Sequence, residues 1–146
     1  MKKMIFMAFT IAISFSVFAT NPAEPSDKIL NSFRQDFPNV HQQLIRDCGN
    51  YYLVCFKEDE FTSCKVFYSR NGDILQTLKY YNASNLDPFI RAKVTKKFSG
   101  KDIYCVTELT SKDDHYYEIK LQDNTSWYVV KYEMGRSTLA KKLHKG

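Results

Sequence analysis

Apolar residues recur along this chain at two spacings, four and two, and the spacing switches in a fixed order. Ile29, Phe33 and Phe37 fall every fourth residue with Leu30 beside them, which makes one stripe of an amphipathic helix. Ser26 or Asp27 can cap its start. Pro38 ends it, because the residue before a proline is pushed out of the α region. A strand follows over 40–47, and beyond Cys48-Gly49-Asn50 the period becomes two. Tyr52, Val54 and Phe56 alternate with Tyr51, Leu53 and Cys55, as in a half-buried strand. A charged tip, Glu58-Asp59-Glu60, reverses the chain. Residues 64–68 then run back to an Asn71-Gly72 turn, and 74–81 supplies one more strand.

The same succession comes a second time. Asp87-Pro88 sets a proline in the first turn of a helix, where its missing N–H costs nothing. Ile90, Val94 and Phe98 repeat the stripe, and Ser99-Gly100 stops it. A strand over 101–110 leads into the second double tyrosine, Tyr116-Tyr117, with its own alternation and polar tip. A strand over 137–143 closes the copy. Thr62-Ser63 and Gly72 recur as Thr125-Ser126 and Gly135 at one constant offset, so the chain reads as an internal duplication. The predicted fold is α+β: two tandem repeats of a helix and four strands, 27–81 and 86–143. The helices pack on one face of a twisted antiparallel sheet. Alternation assigns Tyr52, Val54 and Phe67 to the core in the first copy, and Tyr117, Ile119, Tyr128 and Val130 in the second. Tyr51, Leu53, Trp127 and Val129 then line the uncovered face, with Glu118 and Lys120. A slip of one residue would invert any of these assignments.

What precedes the first helix changes the picture of where the chain works. Lys2 and Lys3 form a basic start, Met4 to Phe18 is apolar apart from Thr10, Ser14 and Ser16, and Val17-Phe18-Ala19 suits signal peptidase. Residues 1–19 are read as a cleavable signal peptide and 20–26 as a proline-bearing linker. The expected location is the periplasm or the exterior. The apolar run is shorter than the ~20 residues a membrane span requires, and nothing after it is longer. The formal net charge of the 146 residues is +5, two of it from Lys2 and Lys3, and the remaining cations are scattered rather than striped. Nucleic acid is therefore not an expected partner.

Four cysteines in an oxidising compartment allow two disulfides in three connectivities. If Asp59-Glu60 is a two-residue loop, Cys55 falls opposite Cys64 and a cross-strand bridge is conceivable. A register one residue longer removes it. The cysteine spacings and the three histidines, His41, His115 and His144, do not form a metal-ligand pattern, and no cofactor is expected. No GxSxG, SxxK, HExxH, Walker loop or GxGxxG occurs. The acids at Glu58-Asp59-Glu60 and Asp113-Asp114 sit in turns, where carboxylates are solvated, and His115 has no visible catalytic partner.

The helix ending in Phe37-Pro38, the double-tyrosine strand, and the Asn71-Gly72-Asp73 turn, repeated behind an export signal, resemble the PepSY-like family of secreted bacterial proteins. That family is described as β-lactamase-inhibitor-like in fold. The second copy departs from the pattern at Ser99-Gly100 and at Met134-Gly135-Arg136. The resemblance spans about 27–143 and implies a helix-covered antiparallel sheet in the periplasm, with no settled activity. An inhibitor-like role follows only by analogy of fold.

Aromatic residues make up 15% of the chain, with ten Tyr, eleven Phe and one Trp. Those on an uncovered sheet face are the material of binding hot spots. The expected function is a non-enzymatic binding module that recognises a periplasmic or secreted protein through Tyr51, Leu53, Trp127 and Val129, acting as a monomer or weak dimer. The alternative is a small-ligand-binding periplasmic protein with a pocket between helices and sheet.

Overall fold

A computed structural model describes residues 26–146; the expected signal peptide and most of the linker lie outside the described residues. The chain forms helix α1 (Asp27–Asp36) and strands β1 (Gln43–Asp47), β2 (Tyr51–Lys57), β3 (Ser63–Ser69) and β4 (Ile74–Tyr81). After a short 3-10 turn come helix α2 (Pro88–Lys97) and strands β5 (Asp102–Ser111), β6 (His115–Gln122), β7 (Ser126–Glu133) and β8 (Arg136–His144). All eight strands belong to one sheet in the order of the chain, β1 to β8, each antiparallel to its neighbours.

Both helices start where the sequence supplies a cap. The Ser26 hydroxyl accepts from the Ile29 amide, and the Asp87 carboxylate accepts from the amides of Phe89 and Ile90. Such caps satisfy N–H groups that have no partner within the helix. Ile29 and Phe33 of α1 are fully buried against Tyr52, Val54, Val66 and Tyr68. Burying each such side chain contributes about 1.5–3 kcal/mol. Ile90 and Val94 of α2 pack on Val106, Ile119, Leu121 and Val130. The two clusters share one face of the sheet.

A hydrogen bond fastens helix to sheet: Tyr68 donates to the Asp36 carboxylate at the end of α1 at 2.9 Å. Within the sheet, Tyr81 of β4 donates to Glu108 of β5 at 3.0 Å. Gly72, at φ +87°, turns β3 into β4 beneath α1, where a Cβ would lie 2.5 Å from the Ser32 hydroxyl. That left-handed backbone and that closeness both call for glycine.

The register corrects two expectations. In the β2–β3 hairpin Lys57 faces Ser63 and Phe56 faces Cys64, one residue away from a two-residue loop. The tip is longer because Asp59 organises it: its carboxylate accepts from the Phe61 amide at 2.7 Å and the Thr62 hydroxyl at 3.0 Å, while the Glu58 amide bonds Thr62 O. Phe67 therefore leaves the core and pairs with Leu53, and Val66 and Tyr68 take the buried positions. Cys55 faces Lys65, so the Cys55–Cys64 bridge is not formed. The two thiols point to opposite faces, and all four cysteines are free.

Candidate functional site

On the face away from the helices, the sheet carries two apolar areas. Alternation supplies most of each, and one β-bulge residue joins each. Register shifts leave Leu75 as an extra residue on β4, Tyr104 on β5 and Ala140 on β8. A bulge re-aims the side chain of its extra residue. Leu75 joins the open side, where it is 48% exposed, and Tyr104 stands over the same side, 57% exposed.

The first area lies over β2 to β6. Tyr51, Phe67, Leu75, Leu109 and Tyr116 surround an open hollow of about 390 Å³, with Asp114 at its rim. The rings of Tyr51 and Phe67 lie 5.6 Å apart, and Leu53 continues the patch beside Phe67. Cys48 beside it raises the Tyr51 phenol above its usual range.

The second area lies over β5 to β8. Tyr104, Trp127, Val129 and Leu143 line a hollow of about 290 Å³ with Lys120 beside them. Tyr104 meets Trp127 edge to face at 4.8 Å between ring centroids. Lys145 sits 4.6 Å over the indole while donating to Gln122 Oε1 and to the Asp123 carbonyl. Trp127 is thus held from two sides, by an aromatic edge and by a cation.

Of the four residues expected to bind together, the fold brings all to one face but not to one site. Tyr51 and Leu53 stand on β2, whereas Trp127 and Val129 stand on β7. Five strand spacings separate them, about 24 Å at the usual ~4.8 Å step. Phe67 was assigned to the wrong face by the shortened hairpin loop. Tyr104 and Leu75 escaped the pattern because a bulge breaks period two, and no local signal in the sequence marks one.

The titratable side chains elsewhere on the sheet are engaged in local contacts. Glu58 pairs with Lys79 at 2.8 Å. His115 Nε2 lies 2.9 Å from Glu108, the carboxylate that also accepts from Tyr81. Burial, aided by Glu58, pushes the Cys64 thiol up to about 11, which leaves it un-ionised and unreactive. Asp123 accepts from the Thr125 and Ser126 amides and from the Tyr128 hydroxyl, and those hydrogen bonds hold its carboxyl well below the usual range. It closes the β6–β7 tip as Asp59 closes the other. The space between α1 and the sheet is filled by Phe33, Phe56 and Tyr68. No helix of the described residues is long and apolar enough to cross a membrane. Among those residues no group of three or more His, Cys, Asp or Glu converges on a metal position.

No family model matches the chain, and no curated protein does. Solved structures do. A BLIP-like protein from Bacteroides fragilis superposes with a TM-score of 0.64 at 17% identity, covering 84% of this chain and 89% of its own. A DUF2874 family protein from Bacteroides ovatus gives 0.64 at 21% identity, covering 82% and 87%. A candidate periplasmic protein from Bacteroides eggerthii gives 0.61 at 13% identity, covering 81% and 87%. At these identities the likeness establishes the fold: a BLIP-like α+β sheet with two helices on one side. The PepSY-like resemblance rests on its sequence motifs.

Proposed function

We propose that this protein is a non-enzymatic periplasmic binding module that grips a protein partner with the open face of its sheet. The observation that carries the reading is the pair of aromatic hollows on the side the helices leave bare, Tyr51/Phe67/Leu75 and Tyr104/Trp127/Leu143. Rigid aromatic side chains on a hydrogen-bonded sheet lose little freedom on binding, and large rings bury much area per residue. The element order, a helix and four strands occurring twice with a separate core under each helix, supports an origin in two tandem copies. The first hollow lies across the junction of the two copies, and the second lies within the second copy. The name of the BLIP-like neighbour fits an inhibitor-like use of this face. The packed helix–sheet interior favours a surface partner over a ligand held between the layers.

The test is a crosslinking pull-down from periplasmic extract with wild type beside Trp127→Ala, followed by reconstitution with the purified candidate. A protein bound by wild type, released by the variant and bound again in reconstitution supports the reading. A partner that binds both forms equally, and that Phe67→Ala and Tyr51→Ala also retain, sinks it.

A further inference from the structure

The open face carries charge as well as aromatic residues, unevenly spread. On β1, β2 and β3 its strand positions carry Arg46, Lys57 and Lys65 and no carboxylate. On β5 to β8 they carry Lys120, Lys131, Arg136 and Lys141 against Asp102, Glu118 and Glu133. Lys131 is neutralised by Glu133 at 2.9 Å and stands directly opposite Glu118. Lys120 and Lys141 flank Val129 from its two neighbouring strands and make no ion pair among the described residues.

Resting on the reading of this face as a binding surface, we infer that the Trp127 hollow receives an apolar or aromatic side chain from an acidic loop of a protein partner. The carboxylates of that loop meet Lys120 and Lys141. The hollow is built for one ring: Tyr104 and Leu143, 57% and 44% exposed, form its accessible walls, and Trp127 is already fixed by Tyr104 and Lys145. Pre-organised walls spare the entropy that ordering them would cost. Lysines at the rim set approach and selectivity through charge complementarity, while the apolar floor supplies the anchor. A polyanion without an apolar group satisfies the lysines but leaves the floor empty, and acids interrupt the cations where a phosphate backbone needs a continuous track.

Trp127 is the sole tryptophan, so its fluorescence reports the hollow directly. The probes are three peptides with one phenylalanine each: Gly-Asp-Glu-Phe-Glu-Asp-Gly, its neutral form Gly-Ser-Thr-Phe-Thr-Ser-Gly, and its basic form Gly-Lys-Arg-Phe-Arg-Lys-Gly. Polyglutamate serves as the polyanion. The acidic peptide should perturb Trp127 and bind about tenfold tighter than the neutral one at low salt, a preference that high salt erases. The double variant Lys120→Glu, Lys141→Glu should lose that preference, favour the basic peptide and keep its melting temperature. Equal binding of acidic and neutral peptides would overturn the acidic loop while leaving the face a binding surface. Polyglutamate binding as tightly as the acidic peptide would overturn the aromatic anchor. No response of Trp127 to any peptide would remove both this inference and the role of the hollow in the proposed function.

Discussion

The two sides of this sheet use the same residue types to opposite ends. On the helix side, Tyr52, Tyr68, Tyr128 and Tyr132 are buried, with Phe33 and Phe56 packed edge to face at 5.3 Å between ring centroids. On the open side, Tyr51, Phe67 and Trp127 alternate with them along the same strands, Tyr104 joins them from a bulge in β5, and none has a layer above it among the described residues. Residue chemistry does not separate the two sets. The helices do, because each apolar stripe needs one cover and both helices of the described residues lie on one side. An aromatic residue under a helix stabilises the fold, and the same residue on the bare side is available to a partner.

The largest effect should come from the covered side. Phe33→Ala should lower the unfolding free energy by about 3–5 kcal/mol, read by urea denaturation, since it empties a fully buried site. Leu44→Ala, 60% exposed on the open side, should stay within about 0.5 kcal/mol. Comparable losses from the two would erase the distinction.

Trp127→Ala comes next. It should cost about 1 kcal/mol, the aromatic contact with Tyr104 and little more, while abolishing partner binding. A thermal loss as large as that of Phe33→Ala would place Trp127 among the core residues.

A smaller effect should appear in acid. Hydrogen bonding to the charged form lowers the carboxyl pKa of Asp123 and of Asp59. The sign follows: their contribution is complete above the unfolded value of about 4 and is lost as pH falls through the lower folded values. Stability followed from pH 7 down to 2 should therefore decline below about pH 4, and Asp123→Asn should flatten that decline. A decline unchanged in the variant would mean the tip carboxylate does not hold the Tyr128 hydroxyl in place.

The smallest perturbation tests the register itself. Maleimide at pH 8 should modify Cys55, half-buried on the open side, well before Cys64, which lies under α1 with its thiol pushed up to about 11. Neither thiol reacting until a reductant is added would mean that the bridge forms after all.

Much of this was legible in the residues. The four-residue stripes placed α1 and α2 and named Ile29, Phe33, Ile90 and Val94 as their buried sides. Alternation over 116–133 placed Ile119, Tyr128 and Val130 inward and Trp127 and Val129 outward. The first hairpin was misread because Asp59 lengthens its tip through its own side chain, and Phe67 and Cys64 each moved to the other face. Hairpin register depends on such single hydrogen bonds, and a period of two turns a one-residue error into a reversal.

Sequence alone therefore determined what is local and periodic: the helices, their caps, the strands, and which residues share a side wherever no bulge interrupts the strand. Backbone geometry imposes those periods on any chain, so the pattern can be read without knowing the neighbours. Tertiary structure decided what depends on neighbours. It left Tyr51 and Trp127 on one face but about 24 Å apart by the usual strand spacing. It placed Tyr104 beside Trp127 and Leu75 beside Phe67 by shifting register at two bulges. Those contacts are set by the register between neighbouring strands, where small differences in packing and hydrogen bonding choose among alternatives.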